Sequence, residues 1–145
     1  MLSFSCIIVF IMSHVGETFF TSVGCMDGRV QEPVLRYGQK KFGVKYADTI
    51  TEAGLVGILG KKSVEKCLLE SIKKKLLVSI EKHHSKNVVV HGHQECAGNP
   101  VEDAQHRKDV LKTAKIIKSL VPSGVTVIST FITRSEEGLT TIEEL

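Results

Sequence analysis

The sequence contains no tryptophan, and only 6% of its residues are aromatic. Rings on which nucleic-acid bases stack are therefore scarce. Concentrated positive charge is missing as well: the net charge is +3, and the basic residues are spread along the chain. The one tight run, Lys73-Lys74-Lys75, falls inside a segment of helical periodicity and reads as a solvated helix face. Nucleic-acid binding is set aside on these grounds. Cysteine is sparse, with four residues at positions 6, 25, 67 and 96. Their spacing is no disulfide framework, because a chain of 145 residues can bury a core without covalent staples. A reducing compartment, the cytoplasm, fits. No apolar run approaches the ~20 residues needed to span a bilayer, so no membrane is implicated. Low-complexity tracts, internal repeats and interdomain linkers are likewise lacking, which leaves a single domain.

What remains is an alternation of strand-like and helix-like segments. Thr18 to Gly24 is β-branched or aromatic and reads as a first strand ending at Cys25. Pro33 suits the first turn of a helix carrying Val34, Leu35 and Phe42 inward and stopping at Gly43. Tyr46 to Thr51 reads as a second strand closed by Ala53-Gly54. Val64, Leu68, Leu69, Ile72, Leu76, Leu77 and Ile80 follow spacings of three and four, a helix ending near His83-His84. Val88-Val89-Val90 is a continuous apolar run, typical of a buried parallel strand. Asn99-Pro100-Val101-Glu102 carries cap, proline and capping-box signals for a helix whose apolar stripe is Val110, Leu111, Ala114, Ile117 and Leu120. Pro122-Ser123-Gly124 ends it, and Val125 to Phe131 forms a fourth strand. The polar, acidic tail beyond Ile132 has no clear assignment. The expected fold is α/β: about four mostly parallel strands in the order 2-1-3-4, with helices on both faces.

Two reactive segments fall at the carboxyl ends of strands: Cys25-Met26-Asp27-Gly28-Arg29 after the first and His93-Gln94-Glu95-Cys96 after the third. Ligands of open parallel sheets gather at such ends, where strand order reverses. Two thiolates and one imidazole suit zinc, and three protein ligands leave a fourth position, the mark of a catalytic site. Cys25, His93 and Cys96 are the candidate ligands of one zinc ion. A helix starting at Asn99 would favour the Cys96 thiolate through its positive end. His91 reads as a core or supporting histidine, His14 and His106 as surface residues, and His83 and His84 as a helix end. Cys6 and Cys67 read as buried small hydrophobes. Glu95 reads as solvent-exposed.

These residues resemble the β-class carbonic anhydrases. Cys25-Met26-Asp27-Gly28-Arg29 is similar to that family's Cys-x-Asp-Ser-Arg segment, and His93-Gln94-Glu95-Cys96-Ala97-Gly98 to its His-x-x-Cys-Gly segment. Thr51-Glu52-Ala53-Gly54 falls where the family carries Arg-Asn-Ala-Gly. The resemblance runs from about Thr18 to about Phe131. It implies zinc ligation by Cys25, His93 and Cys96, with Asp27 and Arg29 as the dyad controlling the fourth position. It further implies hydration of carbon dioxide to bicarbonate by a zinc-bound hydroxide, zinc bringing the pKa of water from about 16 towards about 7. An even homo-oligomer, a dimer or larger, is implied as well. Gly28, Thr51 and Glu52 depart from the family's residues. Two other readings follow from those departures: hydrolysis of a carbon dioxide analogue such as carbonyl sulfide or carbon disulfide, or a non-catalytic zinc-binding module.

The N-terminus stands apart. Leu2 to Met12 is nearly all apolar, yet no Lys or Arg precedes Arg29 and no small-residue cleavage site follows, so a secretory signal is not indicated. Residues 1–17 are read as an extension and 18–145 as the zinc domain. Translation from Met12 is the expectation, with a packed N-terminal arm as the alternative. Intact mass of the native protein tests this: a mass that includes residues 1–11 overturns the Met12 start.

Overall fold

The computed structural model describes residues 16–145. The start at Met12, Cys6, His14 and most of the expected 1–17 extension lie outside the described residues. The elements run β1 (Phe19–Cys25), α1 (Gly28–Phe42), β2 (Tyr46–Glu52), α2 (Leu55–Leu59), α3 (Lys66–Glu81), β3 (Asn87–His93), α4 (Asp103–Leu120), β4 (Thr126–Ser135) and β5 (Gly138–Glu144). They build one five-stranded sheet in the order β2-β1-β3-β4-β5. The first four strands are parallel and β5 is antiparallel to β4. The expected 2-1-3-4 order therefore holds, with a fifth strand added at one edge.

Each sheet face carries its own apolar layer. Val23, Ile50, Val88, Val90 and Phe131 pack under α2, α3 and α4 together with Leu55, Leu59, Ile72, Leu76, Val110 and Ile117. On the other face Phe20, Val89 and Ile132 meet Val30 and Val34 of α1, and Leu139 of β5 closes the layer. Val88, Val89 and Val90 are all fully buried, as a strand with helices on both sides requires. Among the described residues no helix is long and apolar enough to cross a membrane.

Several boundaries differ from the sequence reading. The first helix begins at Gly28, not at Pro33, because Asp27 caps it by accepting from the Arg29 N–H at 2.9 Å. The last helix begins at Asp103, because Asn99 turns inward instead of capping. Within it Leu111 is exposed, while His106, Asp109 and Thr113 are buried. The short helix α2 was not anticipated. Cys67 is exposed, not buried, and His83 pairs with Asp48 at 2.8 Å. The fifth strand escaped because a bulge between Thr133 and Arg134 sets Leu139 opposite Arg134 and Thr141 opposite Thr133. Leu139 and Ile142, three residues apart, thereby reach the same layer, which breaks the period-two signal.

Helix α1 lies unusually close to β1. A Cβ placed on Gly38 would lie 2.2–2.7 Å from three ring atoms of Phe20, which is fully buried. Gly38→Ala gains helix propensity of about 1 kcal/mol, but overpacking a fixed ring costs roughly 1–3 kcal/mol. A lowered urea midpoint is the expected net result; a raised midpoint would show that the ring gives way.

Candidate metal centre

Strands β1 and β3 pair directly, with Gly24 opposite His91, so their carboxyl ends emerge side by side. β2 lies beyond β1 and β4 beyond β3. The chain order thus reverses between β1 and β3, which is where an open parallel sheet offers a crevice. Cys25 is the last residue of β1 and His93 the last of β3. Past β3 the backbone turns sharply, with Glu95 in the left-handed region at φ 57°, and this brings Cys96 back over the strand ends.

The sulfur or nitrogen ligand atoms of Cys25, His93 and Cys96 lie within 4.8 Å of one another, and all three residues are buried. The Cys25 and Cys96 Sγ atoms are 3.7 Å apart and both thiols are free. His93 Nδ1 meets the Gln94 carbonyl at 2.7 Å. That contact suits an Nδ1–H donor and leaves Nε2 with its lone pair. Nε2 is buried and has no hydrogen-bond partner. An orphaned buried acceptor is costly, and a metal ion among two sulfurs and this nitrogen would satisfy it. Burial pushes the His93 pKa down, which keeps the imidazole neutral, the form that ligates. The donor set therefore fits a borderline-soft divalent ion.

The protein around the ligands treats the two sulfurs differently. Cys25 Sγ accepts from the Gly54 N–H at 3.4 Å. Burial, and then the neighbouring Cys25, push the Cys96 thiol up, while the backbone N–H groups of Asn99 and Gly98 oppose that rise. A helix dipole starting at Asn99 does not contribute, since α4 starts at Asp103. Local peptide N–H groups, not a helix dipole, are what oppose the rise at Cys96.

Asp27 and Arg29 sit at the start of α1 beside these ligands. Arg29 Nε reaches Oδ1 and Oδ2 of Asp27 at 3.0 and 3.2 Å, and Nη2 reaches Oδ2 at 2.7 Å. Side-chain hydrogen bonding from Arg29 holds the Asp27 carboxyl at about 2, against an opposing effect of burial. Arg29 also touches Glu95, through its carbonyl at 3.3 Å and its carboxylate at 3.4 Å. Glu95 in turn pairs with Arg134 of β4. Glu95 is exposed, as expected from sequence, but it is tied on both sides. Arg134 was not anticipated: it lies 39 residues from Glu95, in the tail that showed no pattern. Gln94 completes the link, accepting from the Arg134 N–H at 2.7 Å and donating to Asp103 at 2.5 Å.

Two further histidines surround the site. His106, read as a surface residue, is buried against Phe131 with ring centroids 5.3 Å apart. It lies 6.2 Å from the His93 ring by centroids. His91 is fully buried, packs on Gly24, and has neither ring nitrogen hydrogen-bonded. Burial, and then the electrostatic influence of His93 and His106, depress its pKa to about 3. The Thr51-Glu52-Ala53-Gly54 segment borders the same crevice: the Met26 N–H donates to the Glu52 carbonyl at 3.1 Å.

A parallel α/β sheet with a Cys-His-Cys donor set where its strand order reverses defines a protein of the β-class carbonic anhydrase type. The chain belongs to the family described as "Putative carbonic anhydrase", which matches residues 15–141. Solved structures share its fold. The carbonic anhydrase of Streptococcus mutans aligns at 15% identity and TM-score 0.57, over 99% of this chain and 99% of that one. A β-carbonic anhydrase, isoform I, from the protozoan Trichomonas vaginalis aligns at 14% and 0.52, over 97% and 93%. One of two tetrameric β-carbonic anhydrases from the ascomycete Sordaria macrospora aligns at 14% and 0.53, over 94% and 85%. No curated protein matches the sequence significantly.

The Asp27–Arg29 pair has a definite pH signature. Because the folded value is depressed, the unfolded chain takes up the proton first. The pair's contribution to stability is complete above the ordinary carboxyl value of 3.8 and is lost as pH falls through about 2. An NMR titration of the Asp27 carboxyl is expected to show a midpoint near 2 that returns towards 3.8 in Arg29→Ala. A wild-type midpoint already near 3.8 would overturn the pairing.

Proposed function

We propose that the chain holds one zinc ion with Cys25, His93 and Cys96 and catalyses the reversible hydration of carbon dioxide to bicarbonate. The single observation that carries this reading is the convergence, within 4.8 Å, of two buried thiols and a ring nitrogen of His93, whose Nε2 has no hydrogen-bond partner. Two sulfurs and one nitrogen suit zinc over harder ions, and three protein donors leave a coordination place for chemistry. Zinc, when bound, supplies the Lewis acidity that makes water a ready nucleophile near neutral pH.

The chain's own groups do the rest. Cys25 and Cys96 hold the ion as thiolates. The Gln94 carbonyl fixes the His93 ring so that Nε2 faces the sulfurs. Asp27, whose carboxyl is held at about 2, would accept a hydrogen bond from the attacking hydroxide, left when water gives its proton to solvent, and turn its lone pair towards the carbon dioxide carbon to form bicarbonate. Arg29 keeps that carboxylate charged and aimed through its paired contacts. It is itself held from the far side by Glu95, which Arg134 engages in turn. Small-molecule turnover in the cytoplasm is the proposed setting. The tetrameric relatives from Sordaria macrospora support assembly of this chain into a homodimer or larger even oligomer.

A second reading keeps the zinc and changes the substrate or removes catalysis. It is favoured by Glu52 at the crevice, an exposed acid where the family resemblance leads one to expect asparagine. The test is stopped-flow carbon dioxide hydration on metal-quantified protein across pH. One zinc per chain and activity that rises with pH are expected. Cys25→Ser, His93→Ala and Cys96→Ser should each abolish both, and Asp27→Ala should lose roughly 10–100-fold in activity. One zinc per chain with no hydration at any pH would transfer the site to the second reading, which assays with carbonyl sulfide and carbon disulfide then divide. Hydration that survives in the three ligand variants would remove the metal reading altogether.

A further inference from the structure

Behind the metal centre, on the α2 and α4 side, lies a small buried polar assembly that the proposed reaction does not use directly. Asn99 and Asp109 are only 8% and 7% exposed. The Asn99 side-chain amide donates to Asp109 Oδ2 at 3.1 Å, and Gln105 Nε2 donates to Oδ1 at 2.8 Å. Asp109 is thus a buried carboxylate answered by two neutral amides. An arrangement of this kind is costly to desolvate and is strongly directional once formed.

The surrounding backbone is shaped to admit it. A Cβ on Gly57 would lie 2.3 Å from Cγ and Oδ1 of Asn99, so α2 leaves a notch that the Asn99 head fills. Gly60, beside the end of α2, leaves room for Asp109 in the same way, with a Cβ there 3.0 Å from Oδ1. One turn earlier the Gly54 and Gly98 backbones touch. A Cβ on Gly54 would lie 2.3 Å from the Gly98 carbonyl, and Gly54 has φ 65°. Gly54 is also the residue whose N–H points at Cys25 Sγ.

These contacts lead straight to Cys96. The Asn99 N–H lies 3.3 Å from the Cys96 carbonyl, which closes the loop that carries the thiol. The Cys96 sulfur stays beside Cys25 and His93 only if the loop that carries it is held in place. The Asn99 side chain supplies that hold, because it is the one buried polar anchor between Cys96 and the start of α4 at Asp103.

We infer that Asn99 and Asp109 form a buried latch that positions the Cys96-bearing loop for metal retention, with Asp109 acting at a distance from the ion. This rests on the zinc reading above and adds a positioning pair to it. Asp109 touches neither metal nor substrate. Its effect runs through the side chain and then the backbone of Asn99.

The test is the rate at which zinc-loaded protein releases its ion to excess chelator. Asn99→Asp sets two carboxylates against each other, and Asp109→Ala removes the acceptor. Each is expected to speed release about 10-fold or more, the lower end for partners behind a metal ligand. The exchange variant Asn99→Asp/Asp109→Asn rebuilds the bond with donor and acceptor reversed, and still leaves an amide oxygen for Gln105. Its release rate is expected to return to within about 2-fold of wild type, which general destabilisation cannot produce. Gly38→Ala, on the opposite sheet face, controls for lost stability. If both single variants release zinc at the wild-type rate, or Gly38→Ala speeds release as much, the latch is overturned while the zinc site stands. A wild-type chain that holds no zinc overturns the site and the latch together.

Discussion

The direct parallel pairing of β1 with β3 is the constraint on which the rest depends. Chain order puts β2 outside β1 and sends the chain back across to β3, so two strands far apart in sequence end next to each other. Both carry candidate donors at those ends, Cys25 on one and His93 on the other. A parallel strand pair of this kind needs helical crossovers, and the helices cover both faces. The apolar layers of α1 on one side and α2 to α4 on the other then hold the register. A slip of one residue would turn every strand side chain to the opposite face and separate the donors.

Once the strand ends are fixed, polar groups govern the crevice. The His93 ring is set by the Gln94 carbonyl, and Gln94 is set by Asp103 and the Arg134 N–H. Asp27 caps α1 and at the same time receives Arg29. One carboxylate thus starts a helix and forms half of the candidate dyad. Glu95 tolerates a left-handed backbone while two arginines engage its side chain, and strain of this sort gathers where loops carry function. Close backbone contact at Gly54 and Gly98 and the buried Asn99–Asp109 bond tie the loop after β3 to the loop after β2 and to α4.

The interior holds more histidine than this scheme consumes. His91 and His106 are buried with unpartnered ring nitrogens, and burial lowers both pKa values. Burial without a partner favours the neutral form of both rings. His91 fits only because Gly24 leaves its face bare, a Cβ there falling 2.3 Å from the ring.

The sequence by itself determined the candidate donor residues, their order and the elements that carry them. Cys25, Asp27, Arg29, His93 and Cys96 are all legible because each sits in a short segment at the end of an apolar run, and local periodicity locates such runs. The order of the first four strands followed from asking what would bring the two segments together. Tertiary structure alone decided the inward turn of Asn99, the burial of His106 and Asp109, and the arrival of Arg134 and β5 at the site's edge. These depend on partners beyond the local pattern: Asn99 on Asp109, 10 residues away, and Arg134 on Glu95, 39 away. Cap signals near Asn99 were real but lost to a buried partner, and the tail's alternation was broken by a bulge. Local pattern reports which face a residue prefers, whereas only the packed sheet determines what waits there.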